Sequence, residues 1–133
     1  MNPTKITLAA FAAAFSFALT VSAADAKLPP ASDKKDVTYA TDIKPIFDAT
    51  CVKCHNSAKK PRAGVGLDTL EAALKGGKEG KVITAGDSAK SSLVLTVAHV
   101  GDPDTFMPKG KDAKALTAEQ VGLIRAWIDQ GAK

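Results

Sequence analysis

Apolar residues recur every three or four positions in several segments of this chain, which is the spacing of an amphipathic helix. The first segment follows Thr41, a residue type that caps helices, and it tolerates Pro45 in its first turn. Its apolar face is formed by Ile43, Ile46, Phe47 and Cys51. We therefore predict a first helix that runs directly into the residues after position 50.

Helix-end signals predict two short helices in the middle of the chain. Asp68 as the cap, with Glu71 three residues later, predicts a second helix that ends at Gly76-Gly77. Asp87 or Ser88 can start a third helix, whose apolar residues are Leu93, Val94 and Val97.

The last predicted helix has the strongest pattern. Thr117 and Gln120 form a capping box, Gly131 follows the last turn, and a broad apolar stripe consists of Val121, Leu123, Ile124, Trp127 and Ile128. The first helix has a matching face, so we expect the two helices to pack together. Because the sequence shows no convincing strand pair and no internal repeat, the predicted fold class is all-α.

Residues 1–26 have the pattern of a secretory signal. Lys5 precedes an apolar run from Ile6 to Val21, and small residues follow, with acceptable cleavage positions after Ala23 or Ala26. The run of sixteen residues is shorter than the roughly 20 that span a bilayer. We expect a cleaved leader, no stable membrane anchor after cleavage, and a mature protein in the bacterial periplasm.

The rest of the chain has the size of one domain. Residues 27–38 carry Pro29-Pro30 and mixed charge, so we predict a flexible N-terminal segment followed by a single domain at 39–133. The large side chains left for a core are few, and the aromatic ones are Tyr39, Phe47, Phe106 and Trp127. A buried prosthetic group would supply the missing apolar surface, and we expect the apoprotein to fold poorly.

Both cysteines of the chain lie in the sequence Cys51-Val52-Lys53-Cys54-His55. Two thiols separated by two residues and followed at once by an imidazole form the attachment sequence for c-type haem. The thiols can add to the two vinyl groups of the porphyrin, and His55 can then supply the proximal nitrogen to iron.

Three other interpretations of the cysteine pair are weaker. A disulfide that closes so short a loop removes chain entropy worth only about 2 kcal/mol. A thioredoxin-like redox pair expects a βαβ context, whereas the residues before Cys51 predict a helix. Zinc needs four ligands, and besides the motif only His99 remains as a histidine or cysteine.

An iron with one histidine ligand has an open sixth position. Met107 is the only methionine after residue 26, and its neighbours are Asp, Lys, Gly and Pro, a poor setting for a core residue. Met107 is therefore the candidate distal ligand, and Pro108 restricts the backbone beside it. The alternative is His99, which would give a bis-His site of lower potential.

The order of first helix, attachment motif, loop methionine and last helix resembles class I c-type cytochromes, and more closely the planctomycete-type cytochrome c domain. The stretches that carry this closer likeness are 42–47, 63–68, 86–87, 91–94, 107–108 and 116–132. The chain departs from the usual pattern at Asn56, at Lys109 and in the lengthened segment 111–115. These departures affect loop detail rather than the ligands.

The resemblance implies a small class I cytochrome c fold, with N- and C-terminal helices packed around one covalently bound haem c. It implies thioether attachment at Cys51 and Cys54, His55 as the proximal ligand and Met107 as the distal ligand. The packing residues that it implies are Ile43, Phe47 and Trp127.

The predicted function is that of a soluble monohaem c-type cytochrome, which carries single electrons between redox proteins by outer-sphere transfer. We do not expect an enzyme, because the sequence has no Ser/His/Asp set, carboxylate-pair signature or phosphate loop. Two alternatives stay open. One is a haem peroxidase-like enzyme with a labile sixth ligand, and the other is a haem subunit of a larger oxidoreductase complex.

The formal net charge of the chain is +4, and basic residues lie in or beside the attachment motif and after Met107. If they border the haem crevice, they would steer an acidic redox partner; otherwise they only aid solubility. They are Lys53, Lys59, Lys60, Arg62, Lys109, Lys111 and Lys114. Nucleic-acid binding is not expected, because no binding motif or interleaved aromatic residue accompanies them. We expect a monomer.

Production of the full chain with a c-type maturation system tests the leader and the haem together. Intact-mass spectrometry of the periplasmic protein should show cleavage after Ala23 or Ala26 and the added mass of one haem. Replacing both Cys51 and Cys54 by Ala should abolish the added mass and leave the cleavage unchanged. A colourless periplasmic protein with both thiols free or joined to each other would contradict the haem assignment.

Overall fold

The computed structural model describes residues 27–133, and the predicted signal at 1–26 lies outside the described residues. A π-helical turn, Tyr39–Ile43, is followed by α1 (Lys44–Thr50), α2 (Leu70–Lys75), α3 (Ser92–Val97) and α4 (Ala118–Asp129). Short 3-10 turns lie at Arg62–Gly64, Ser88–Lys90 and Pro103–Thr105.

The described part of the chain contains no β-strand, and an isolated bridge joins Gly77 to Gly80. The predicted all-α fold class is therefore confirmed. Among the helices of residues 27–133, none combines the length and the apolar character that a membrane crossing requires.

The first helical segment begins earlier than its sequence predicted. Its cap is Thr38, whose hydroxyl accepts the Thr41 N–H, so Thr41 lies inside the segment rather than at its start. Pro45 lacks an N–H and cannot continue the normal hydrogen-bond ladder. The turn before it is wider, with the Lys44 N–H bonded to the Tyr39 carbonyl five residues back.

The predicted cap of the second helix was wrong by one residue. Thr69 caps α2 by accepting the Ala72 N–H at 3.1 Å, because the carboxylate of Asp68 is bonded to Ser57 instead. The predicted end is confirmed: Gly76 closes α2 with a φ of 81°, a backbone conformation that favours glycine.

The predicted start of the third helix was wrong by about four residues, whereas the predicted start of the last helix is confirmed. Asp87 caps a separate 3-10 turn by accepting the Lys90 N–H, and α3 begins only at Ser92. For α4, both bonds of the capping box between Thr117 and Gln120 are present.

The core lies where the first helical segment crosses α4. Ile43, Phe47 and Trp127 are each 0 % exposed, as expected for packing residues. The Tyr39 ring lies 5.9 Å from that of Trp127, and Phe47 meets Trp127 edge-on at 6.4 Å. The predicted packing of the first helix on the last is thus confirmed, and three aromatic rings form its centre.

Residues 27–38 differ from the flexible lead that their composition predicted. Leu28 and Val37 are buried, and the Ser32 N–H donates to the Gly122 carbonyl at 2.9 Å. A Cβ at Gly122 would lie 2.6 Å from the Pro30 carbonyl oxygen, so the glycine permits this close approach to α4. The segment is held by backbone hydrogen bonds that its side chains did not reveal.

A polar cluster around the buried Ser88 and Arg125 joins the same segment to the rest of the fold. Arg125 donates from Nη1 to the Pro29 carbonyl at 2.6 Å and from Nε to the Ser88 hydroxyl at 3.0 Å. The Asp129 carboxylate accepts both the backbone N–H and the hydroxyl of Ser88. α4 is therefore joined both to the N-terminal segment and to the turn that precedes α3.

Candidate functional site

The Cys-x-x-Cys-His motif forms a helical turn that continues α1. The Cys51 N–H bonds to the Phe47 carbonyl at 2.7 Å, and the His55 N–H bonds to the Cys51 carbonyl at 3.0 Å. Residues three and four positions apart on such a turn share one face. The two thiols and the imidazole are therefore presented to the same side of the chain.

A mostly apolar cavity of about 640 Å³ lies next to this turn. Cys51, Cys54, His55 and Met107 all line it, although Met107 is far from the motif in the sequence. The apolar residues that line it include Val65, Leu67, Val82, Leu93, Val97 and Leu116. Its volume is within the roughly 300–1,000 Å³ of cofactor and ligand sites.

One hydrogen bond selects the tautomer of the neutral His55 ring. Its Nδ1 lies 3.0 Å from the Val65 carbonyl oxygen. A carbonyl oxygen only accepts hydrogen bonds, so in the neutral ring Nδ1 carries the proton and Nε2 keeps its lone pair. This is the form in which histidine binds a metal, with its second nitrogen anchored to the protein.

The loop that carries Val65 is braced from the core. The Leu67 N–H donates to the His55 carbonyl at 2.7 Å, and the Tyr39 hydroxyl donates to the Leu67 carbonyl at 2.9 Å. Burial, with smaller contributions from nearby carboxylates, raises the pKa of Tyr39 to about 12. The hydroxyl therefore remains a donor over the whole neutral pH range.

The same loop is closed by a carboxylate. Asp68 accepts the backbone N–H of Ser57 at 2.6 Å and the Ser57 hydroxyl at 2.7 Å. The bonds from Ser57, the backbone one foremost, hold the pKa of Asp68 below its usual value. Ser57 is two residues beyond His55, so this pair ties the two ends of the loop together.

The surroundings of the cysteines disfavour two of the other interpretations. Both thiols are free, and burial raises the pKa of Cys51 to about 11. A thioredoxin-like pair needs a lowered thiol pKa instead. Residues 27–133 also contain no cluster of three or more His, Cys, Asp and Glu side chains able to hold a metal, as a zinc site would require.

Met107 is bound by α3 through its backbone. Its N–H donates to the Thr96 carbonyl at 3.0 Å, and its carbonyl oxygen lies 2.9 Å from Nε2 of His99. The His99 ring is stacked on Phe106, with 4.7 Å between ring centroids. His99 is exposed and is not among the residues that line the cavity.

Four of the basic residues noted in the sequence meet at one groove. Lys53, Lys109, Lys111 and Lys114, all exposed, line a space of about 660 Å³ next to Cys54. Arg62 lines the apolar cavity itself, together with Lys109. Lys59 and Lys60 are exposed but line neither space.

The residues present fit a covalently attached haem. Two thiols on one helical turn and an imidazole with its metal-binding nitrogen free share an apolar cavity of cofactor size. A small all-α domain with these features is typical of c-type cytochromes.

Comparison with known families agrees with this class. Residues 51–110, which include the attachment motif and Met107, match the family described as Planctomycete cytochrome C. The match confirms the resemblance found in the sequence, and this domain type implies covalent haem c. Neither the curated proteins nor the solved structures contain a significant match to the chain.

Three supports of the site were not predicted from the sequence. The Val65 carbonyl is a backbone group, for which no sequence signal exists. Asp68 was assigned to a helix cap, and His99 was considered only as an alternative ligand. Asp68 and His99 are polar residues next to predicted elements, but their partners are set by the tertiary fold.

Replacing Asp68 by Asn should make the stability of the domain less dependent on pH. Because the folded-state pKa of Asp68 is lowered, its carboxylate stabilises the fold above about pH 4. That contribution is lost as the pH falls through the lowered value. In urea unfolding of the haem-loaded protein, D68N should be less stable than wild type at neutral pH, and the difference should shrink in acid.

The matched control is Ser57→Ala, which keeps the backbone N–H that donates to Asp68 and removes only the hydroxyl. It should lose less stability than D68N at neutral pH. An equal deficit of D68N at neutral and acidic pH would show that the carboxylate charge has no part in closing the loop.

Proposed function

We propose that this protein is an exported, monohaem electron carrier of the periplasm. The observation that carries the proposal is that the Cys51–His55 turn and Met107 line the same mostly apolar cavity. The two thiols, the imidazole and the thioether thus line one space of cofactor size, which supports the proposed attachment and ligands. The family match over residues 51–110 supports the same reading.

Different side chains of the protein would attach the cofactor and coordinate its iron. Cys51 and Cys54 would attach it as thioethers, and His55 would coordinate through Nε2, which the Val65 hydrogen bond leaves free. Met107, which is distant from the motif in the sequence, would provide the sixth ligand. A haem bound in this way supplies a one-electron Fe(II)/Fe(III) couple.

In the rest of the proposed mechanism, the protein keeps the surroundings of the haem iron the same in both oxidation states. Leu93, Val97 and Leu116 line the cavity and would limit contact between water and the cofactor, and a dry site with a thioether ligand favours the ferrous form. The braced loop around His55 limits ligand movement during each electron transfer. Cys54 is exposed, so one side of the attachment turn is near the surface, where a partner can approach.

Met107→Ala tests the proposed distal ligand. Loss of the thioether should lower the reduction potential by on the order of 0.1 V, a modest part of the ~0.8 V range that axial ligands set. It should also let cyanide bind the ferric protein readily. Met107→His is the matched control, because it restores a sixth ligand but keeps a low potential.

An unchanged spectrum and potential in M107A would rule out the proposed carrier with a His/Met site. Rapid cyanide binding by the wild-type protein would favour the peroxidase-like alternative, which requires a labile sixth position. Potential is measured by redox titration and ligation by the optical spectrum of the ferric form.

The lysine-lined groove is the proposed docking surface for an acidic redox partner. Lys53, Lys109, Lys111 and Lys114 are close together and adjoin Cys54 at the edge of the site. Within the described residues, Lys53, Lys111 and Lys114 take part in no ion pair of 4.0 Å or less. Their charge is therefore available to attract an anionic partner at long range.

The double variant K53E/K111E tests this surface with an anionic oxidant, hexacyanoferrate(III). Its oxidation rate at low ionic strength should fall about tenfold, and the dependence on salt should weaken or reverse. K35E/K75E makes the same change in net charge outside the groove and is the control. Equal slowing in both variants would mean that net charge, rather than this groove, governs the approach.

A further inference from the structure

We infer that His99 is a positioning residue for Met107: it holds the backbone of the methionine loop against the end of α3. The inference rests on the proposed role of Met107 as distal ligand. It assigns to the second histidine of the chain a role other than that of an alternative ligand.

Both polar backbone groups of Met107 are held by the same helix end. The N–H donates to the Thr96 carbonyl at 3.0 Å, and the carbonyl oxygen is 2.9 Å from His99 Nε2. Because the carbonyl can only accept, Nε2 must be protonated and act as the donor. Two bonds from residues three positions apart thus hold the Met107 peptide groups.

The ring of His99 provides a third contact. It lies parallel to the Phe106 ring, with an interplanar angle of 0° and a centroid distance of 4.7 Å. The backbone of His99 has a φ of 56°, in the left-handed region where histidine is enriched among non-glycine residues. This turn follows directly on α3, whose C-cap is Ala98. His99 therefore contacts two successive residues of the loop.

The loop has few other means of holding its position. Residues 101–105 and 109–115 are exposed, so little apolar burial fixes the chain on either side of Met107. By contrast, α3 is firmly placed, because Leu93, Val94 and Val97 are buried in the core. His99 and Thr96 therefore connect an exposed loop to a buried helix that lines the cavity.

The same bond argues against His99 as the distal ligand through Nε2. A ring nitrogen that carries a proton and donates it to the Met107 carbonyl has no lone pair for a metal. His99 is also absent from the residues that line the cavity, whereas Thr96 and Met107 are present.

Two substitutions separate the hydrogen bond from the ring contact. His99→Phe keeps an aromatic ring for Phe106 but has no donor, and His99→Gln keeps a donor at similar reach but has no ring. Val100→Ala is the matched control. It shortens the side chain next to His99 but keeps the backbone hydrogen bond from the Val100 N–H to the Leu95 carbonyl. The measurements are the cyanide association rate and the reduction potential of the haem-loaded protein.

H99F should bind cyanide roughly three- to tenfold faster than wild type and have a lower potential, because sulfur dissociates more often. H99Q should restore most of the wild-type rate, and V100A should leave both quantities near wild type. A wild-type rate and potential in H99F, or failure of H99Q to restore them when V100A behaves normally, would overturn the inference.

The variants are also combined with Met107→Ala. If His99 acts through Met107, H99F should have no further effect on cyanide binding in M107A, and a remaining effect would overturn the inference. A wild-type spectrum in M107A would instead refute Met107 as a ligand and with it the proposed function. M107A with an altered spectrum and H99F without effect would remove only the role of His99.

Discussion

The hydrogen bond from His55 Nδ1 to the Val65 carbonyl is the interaction on which the site depends. It fixes the tautomer of the ring and leaves Nε2 as a metal donor. The bond requires the Val65 carbonyl to stay in place, and the Leu67 N–H and the Tyr39 hydroxyl brace that loop. Since Tyr39 packs on Trp127 of α4, the orientation of the imidazole is tied to the central helix crossing.

The two sides of the cavity are held in different ways. His55 follows α1 directly and belongs to a loop that is bonded to the buried core. Met107 lies in a longer, mostly exposed loop whose attachment is to the end of α3. With the proposed ligands, such a site would hold its histidine firmly, whereas coordination by the Met107 sulfur would depend on a few contacts. Ligand lability and potential would then respond chiefly to changes around Met107.

The helical framework was largely predictable, because its signals are local. Apolar spacing and the capping box gave α4 correctly, and the pairing of its stripe with Ile43 and Phe47 is confirmed. The errors occurred where a polar group had two competing partners. Asp68 bonds to Ser57 rather than capping α2, and residues 27–38 dock on α4 through backbone groups that composition does not report.

By itself, the sequence determined the chemistry that is encoded in adjacent residues. The order of residues along the chain is enough to identify three features. They are the Cys51–His55 motif, the helix periodicity and the likeness to planctomycete cytochrome c domains. Only the tertiary structure decided which distant groups meet. It placed Met107 at the cavity of the motif, directed His99 to the Met107 carbonyl and gave His55 its Val65 partner. Such contacts join residues that are far apart in the sequence. Every residue has a backbone carbonyl, so the sequence does not show which carbonyl will accept a given hydrogen bond.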